Sequence, residues 1–180
     1  MSLRSLSRPT FQHRRGSPPD AQGIAALATL VFLDTYASTG IRADLAREVF
    51  SQYSASAFAQ RLEDERTTFL LVEAAGYLVA FVEVMGNSPY PAAGSRARTE
   101  VVRLYVHPRF HRQGLGSKLL RAAERLAGAQ GVWLAVWAEN ALALAFYARL
   151  GYKVVGTREH VIEGKGYQNH VLVSPPSDKI

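Results

Sequence analysis

The stretch from residue 100 to residue 129 restricts the fold more than any other part of the chain. A β-rich run, Glu100–Val106, leads through Pro108 into Arg112-Gln113-Gly114-Leu115-Gly116-Ser117 and then into a helical run, Leu115–Ala129. On that helix Leu115, Leu119, Ala122, Ala123 and Leu126 recur at the spacing of one apolar face. Gly131 ends the helix, and the next apolar run, Val132–Val136, reads as a short buried strand. The expectation is one mixed α/β domain.

The loop between strand and helix also carries chemistry. Glycines there let the backbone approach a ligand, and the free amides of a helix amino terminus favour an anion. Arg112 and Lys118 add positive charge, so a phosphate or pyrophosphate is the natural guest. Spacing excludes two familiar readings. A P-loop ending at Gly116 needs glycine at 111, which is His111, and Lys directly after Gly116, where Ser117 stands. A dinucleotide fingerprint needs a third glycine at 119, which is Leu119. The plain alternative is that Gly114 and Gly116 only make a tight turn.

The remaining segments fit the same class. Thr10–Arg15 reads as a short first strand, and Ser17-Pro18-Pro19-Asp20 as a helix start with Ser as cap and an acid near the positive dipole end. Ile24, Leu27, Ala28 and Val31 follow at helical spacing, and Gly40 stops the run. Arg42–Glu65 is helical with a break within Ser51–Ser56, and Thr67–Val72 and Tyr77–Met85 pair through Ala75-Gly76. Asn87–Ala97 is a loop, Ala141–Leu150 a helix stopped by Gly151, and Val154–Val161 and Gln168–Val173 are strands around Glu163–Gly166. The expectation is a flexible basic leader at 1–9, one domain over 10–173 and a tail at 174–180.

Composition excludes several functions. The chain has no cysteine, which removes disulfides, thiolate metal sites and a cysteine nucleophile, and is compatible with a cytoplasmic setting. Of the net charge of +6, four arginines (Arg4, Arg8, Arg14, Arg15) precede the first acid, Asp20, which leaves +2 for the rest. Nucleic-acid binding is therefore not expected, and no apolar run is long enough for a membrane span. His107 and His111 have ligand-like spacing, but Pro108 lies between them and no carboxylate follows, so no metal is expected. There is no Gly-x-Ser-x-Gly elbow of a serine hydrolase.

His111-Arg112-Gln113-Gly114-Leu115-Gly116, after Val101–Pro108, resembles motif A of the GNAT N-acetyltransferase superfamily. Trp137–Tyr147 with Leu150-Gly151-Tyr152 resembles its motif B, and Arg14–Ala21 its opening strand-to-helix turn. Within the superfamily the Trp137–Tyr147 run is most similar to bacterial polyamine-acetylating members. His111 departs from the usual Gln or Arg, and Arg112 stands where members often carry Gly.

The resemblance implies a mixed sheet of six to seven strands with helices on both faces and a splayed parallel pair holding acetyl-CoA. The backbone of Leu104, Tyr105 and Val106 would then meet the pantetheine arm. His111, Arg112, Gln113, Gly114, Leu115, Gly116, Ser117 and Lys118 would hold the pyrophosphate, with Asn140 and Phe146 completing the cofactor site. Tyr147 matches the residue that protonates the leaving thiolate; its other reading is a core aromatic. Glu100, which by period-2 alternation shares a face with Val102, Leu104 and Val106, is the candidate base, against a strand-end carboxylate in solvent, a water chain, or Glu83 and Glu139. Direct transfer to a small primary amine, polyamines first, is the implied activity, and a homodimer is allowed. The other readings are acetylation of a protein amino terminus or lysine, of an aminoglycoside, or a silent CoA-binding module.

Overall fold

The computed structural model describes residues 10–89, 96–162 and 164–175. The leader at 1–9, most of the loop expected between Asn87 and Ala97, Glu163 of the last turn and the tail from 176 lie outside the described residues. The chain order is β1 (Phe11–Arg15), α1 (Ala21–Tyr36), α2 (Ala43–Gln52), α3 (Ala55–Glu63), β2 (Thr67–Ala74), β3 (Tyr77–Met85) and β4 (Thr99–Val106). It continues with α4 (Leu115–Ala127), β5 (Val132–Trp137), α5 (Ala141–Arg149), β6 (Lys153–Ile162) and β7 (Lys165–Val173). All the strands join one seven-stranded sheet in the order β1-β2-β3-β4-β5-β7-β6.

Local chemistry accounts for the element boundaries. The Ser17 amide and hydroxyl both donate to Asp20 Oδ2 at 2.9 Å, and Arg14 pairs with Asp20 and Glu73, which ties the start of α1 to β1 and β2. Ser54 Oγ accepts from the Ala57 amide at 3.2 Å and begins α3, so the helical stretch breaks at Tyr53-Ser54. The ladder of β2 and β3 runs through the positive-φ pair Ala75 and Gly76.

Helices cover both faces. On one, α4 and α5 pack Leu115, Leu119, Leu120, Ala123 and Tyr147 against Val82, Val84, Val101, Val132 and Leu134. On the other, Ile24, Ala28, Phe32, Leu45 and Phe58 of α1–α3 pack against Phe69, Leu71 and Phe81. Leu126, expected on the buried face of α4, is half exposed, and Leu120 and Ala127 pack inward instead. At about 100° per residue Leu126 lies only roughly 20° around the helix from Leu115, so its exposure reflects its place in the last turn of α4 and not its side of the helix. The helix also ends at Ala127 rather than Ala129, where Gly128 at φ +62° turns the chain.

Two irregularities shape the centre of the sheet. The parallel β4–β5 ladder contains only Thr99↔Val132 and Glu100↔Trp133, after which the strands diverge. In the β3–β4 ladder Val84 pairs with Val101 but Glu83 pairs with Arg103, so Val102 is the extra residue of a β-bulge. The bulge overturns the strict alternation expected for β4. Leu104 and Val106 face the α4–α5 core with Val101, whereas Glu100 and Val102 line the opposite face with Arg103 and Tyr105. Glu100 therefore does not share a face with Leu104 and Val106.

Candidate active site

The diverging ends of β4 and β5 leave a gap whose β4 side offers backbone groups. The His107 amide donates to Val79 O at 2.9 Å, which makes Ala80↔Val106 a non-hydrogen-bonded pair of the antiparallel ladder. By the same alternation Leu104 and Val106 turn their amides and carbonyls to the gap, while those of Tyr105 are spent on Phe81 in β3. The Val106 carbonyl already has a partner, His111 Nε2 at 2.9 Å. That bond brings His111 back over the end of β4 and shapes the loop behind it.

The loop reaches α4 through two left-handed residues, Arg112 at φ +59° and Gly114 at φ +78°. Arg112 adopts without a glycine's freedom a conformation that costs an ordinary residue about 1 kcal/mol. Gly114 has nothing within 4 Å of where a Cβ would stand, so its surroundings are open on the ligand side. The Lys118 amide closes the first helical bond, to Gly114 O at 3.1 Å. The amides of Leu115, Gly116 and Ser117 precede it and point out of the helix end without intrahelical acceptors. Gly116 is needed for a different reason. A Cβ there would stand 3.3 Å from Phe146 Cζ and 3.9 Å from Val106 Cγ2, so α4, α5 and β4 meet at this one residue.

The far wall of the gap is α5. Asn140 Oδ1 accepts from the Ala143 amide at 3.0 Å and caps the helix, leaving its side-chain amide as a donor. Seven residues on, Tyr147 is buried, its ring 5.0 Å from that of Phe146 and 5.6 Å from that of Tyr152. Tyr152 is anchored in turn by its hydroxyl, which donates to Glu124 Oε1 at 2.7 Å. Burial pushes the Tyr147 hydroxyl well above the usual tyrosine range, so it keeps its proton at neutral pH. Tyr147 is thus a core ring whose hydroxyl still carries its proton at neutral pH.

On the opposite face a cleft opens over the same gap, lined by β4, β5, α1, α2 and the β6–β7 hairpin. Glu100 accepts from Ser88 Oγ at 2.8 Å and faces Arg158 at 3.6 Å. Glu83 is fully buried beneath the floor, 2.7 Å from Arg103 Nη1 and 3.6 Å from Arg61 Nε. Burial opposes the Arg103 charge, and the Glu83 carboxylate more than restores it, so the guanidinium pKa is raised. Arg103 also lies over the Tyr53 ring at 5.3 Å, and the Tyr53 and Tyr105 hydroxyls share a hydrogen bond of 3.0 Å. Burial pushes both of these hydroxyls up. Glu139 is exposed at the mouth of the cleft, beside Asn140.

Among the described residues no group of three or more His, Cys, Asp or Glu is placed to hold a metal ion, and no helix is long and apolar enough to cross a membrane. The sequence motifs thus converge on one side of the sheet. Tyr36, Arg103, Trp137, Arg158 and Tyr167 build the other side, and spacing singled out none of them individually. Only Trp137 lay within a motif, while the rest come from separate elements and carry no local signal.

An open helix amino terminus behind a left-handed loop, a strand edge with unspent backbone groups and a buried tyrosine thus lie together on one side of the sheet, with a cleft on the other. Residues 31–152 match the Acetyltransferase (GNAT) family. The chain belongs to that family and is an acetyl-CoA-dependent acetyltransferase. It is similar to an uncharacterised N-acetyltransferase of Mycobacterium bovis, 28% identical over 157 residues that cover 86% of this chain and 96% of the relative. Among solved structures it shares its fold with the PaiA N-acetyltransferase of Thermoplasma acidophilum in complex with coenzyme A, at a TM-score of 0.71 and 21% identity. That likeness covers 89% of this chain and 98% of the other. Arabidopsis thaliana NAA60 in complex with a bisubstrate analogue has the same fold, at a TM-score of 0.67, 18% identity and coverage of 91% and 97%.

Proposed function

We propose that the protein transfers the acetyl group of acetyl-CoA to a primary amine by direct attack, with both substrates bound at once. The observation that supports this most is the gap itself. A cradle for phosphates and a strand edge lie on one side of β4 and β5, and a separate cleft opens on the other. In this reading the free amides of Leu115, Gly116 and Ser117, with Arg112 and Lys118, hold the pyrophosphate. Leu104, Val106 and the Asn140 amide hold the pantetheine arm, and Phe146 packs between the arm and α4.

The amine enters from the cleft, its nitrogen forms the new C–N bond, and the C–S bond breaks. Tyr147 gives its proton to the departing thiolate and regains one, through water, from the nitrogen of the adduct. The second proton, from the attacking ammonium, passes to Glu100 or to water in the cleft. Ser88 and Arg158 hold Glu100 in place, and that fixed carboxylate at the cleft wall supports its role as the acceptor of this proton. The experiment is a full initial-rate study with acetyl-CoA and a panel of small amines and short peptides. Lines that intersect are expected, whereas a ping-pong pattern or an isolable acyl-enzyme would overturn the direct mechanism.

A further inference from the structure

The acceptor cleft has two chambers, of about 450 Å³ and about 320 Å³, and Tyr36 and Tyr167 line both. These volumes are typical of small-molecule sites. Their walls are unusually aromatic. Phe32 meets Tyr36 at a ring separation of 4.8 Å, Tyr36 lies against Trp137 at 5.1 Å and 35°, and Trp137 meets Tyr167 edge-on at 6.4 Å. The chain of rings runs without interruption from α1 to the last residue of β5 and on to β7. It ends beside Ala138 and Glu139, next to the Asn140 cap.

The charges of the cleft are almost balanced. Arg42 is paired with Asp44 at 3.0 Å, Arg158 faces Glu100 at 3.6 Å, and Arg103 is held by the buried Glu83 at 2.7 Å. The remaining lining charges are Glu48 and Glu139 against Lys165, which leaves one net negative charge. Arg61, behind the wall against Phe58 and Glu83, brings even that to zero. His160 adds none while neutral. A cleft with this balance has no surplus negative charge to gather cations, so recognition falls to its walls. A polyamine, carrying three or four ammonium groups, would bring charges that meet no unmatched carboxylates, while an aromatic body would extend a wall of rings already in offset and edge-on contact.

We infer that the acceptor is a primary amine on a short linker to an aromatic ring, with Trp137 and Tyr36 as the residues that select it. The inference rests on the amine-acetylating reading above and narrows it. Lys165 Nζ already lies over the Tyr167 ring at 5.3 Å, so the Tyr36–Trp137 pair is where the substrate ring stacks.

The test uses the full chain, with 2-phenylethylamine, n-butylamine and spermidine as acceptors at saturating acetyl-CoA. In parallel, calorimetry follows each amine binding to the enzyme preloaded with CoA. The expected result is a kcat/KM about tenfold higher for 2-phenylethylamine than for n-butylamine, equivalent to about 1.4 kcal/mol, with spermidine poorest. Trp137→Leu brings the ratio of the two monoamines close to one, and Trp137→Phe, which keeps a ring, largely preserves it. A ratio near one in the unsubstituted enzyme, or spermidine as the best acceptor, overturns the inference. Tenfold tighter binding of 2-phenylethylamine without turnover of any amine would uphold the inference while defeating the proposed reaction. Equal binding of all three would overturn the inference whatever the turnover.

Discussion

The two sides of the β4–β5 gap are built by different means. In the proposed reading the donor side is one continuous piece of chain from Leu104 to Lys118, joined by the Asn140–Tyr147 cap and helix, and the groups it would turn to the cofactor are mostly backbone. The other side draws single side chains from α1, α2, β4, β5 and the β6–β7 hairpin, and balances them with ion pairs, one buried at Glu83–Arg103 and one partly exposed at Glu100–Arg158. Backbone geometry tolerates many side chains, provided a few glycine positions are kept. A side-chain cluster assembled from distant elements tolerates the loss of none of its charges. The donor side should therefore fail by losing affinity with the fold intact, and the acceptor side by losing stability.

The largest effect falls on the acceptor side. Glu83→Ala would leave Arg61 and Arg103 buried together without their carboxylate, and breaking such a pair costs about 3–5 kcal/mol. Urea unfolding should show that loss; a change below about 1 kcal/mol would mean that water reaches the guanidinium groups. On the donor side, Gly114→Asp puts a carboxylate into the open space at the phosphate cradle and strains a φ of +78°. Acetyl-CoA affinity should fall on the order of a hundredfold, about 2.7 kcal/mol, with the circular-dichroism spectrum unchanged. Equal affinity by calorimetry would remove the phosphate from this loop.

Tyr147→Phe tests the wall between the two sides. The ring contacts to Phe146 and Tyr152 survive, so stability and acetyl-CoA binding should hold. The turnover number should fall on the order of tenfold to a hundredfold, the lower part of what a general acid supplies. An unchanged kcat would leave Tyr147 as a packing residue only.

The smallest effect lies away from both sides, as a control. Arg14, with the Ser17 amide and hydroxyl, holds Asp20 down to about 2, from an ordinary carboxylate value of 3.8. Because the folded value is the lower one, this contribution is complete above the ordinary value and fades as pH falls through 3.8 toward about 2. Asp20→Asn should cost about 1 kcal/mol at neutral pH, for a pair at the surface, and nothing near pH 2. A difference that persists in acid would trace to the helix start rather than the ion pair.

Legibility followed the same division. The strand–loop–helix unit, the helix start at Ser17 and the β2–β3 hairpin all rest on neighbours within a few residues, whereas the covering of both sheet faces came from the resemblance to a known family. Spacing, capping and left-handed turns announce such local features directly. Leu126 and the face of Glu100 did not follow, for two reasons. The last turn of α4 leaves Leu126 exposed although it lies on the side of Leu115, and a bulge adds one residue to β4 that nothing in Thr99–Val106 marks.

By itself the sequence determined the α/β class, the glycine turn into α4, the helix over 141–150 and the lack of any cysteine, because each depends on backbone freedom or residue type at one place. Only the tertiary structure decided how far β4 and β5 separate, that Val106 O is held by His111, and that Glu83 and Glu100 are matched by Arg103 and Arg158. It alone brought Tyr36, Trp137 and Tyr167 from three elements into one wall. Charge balance and ring stacking depend on distances across the fold, and residues 20 to 131 positions apart leave no periodic trace of one another.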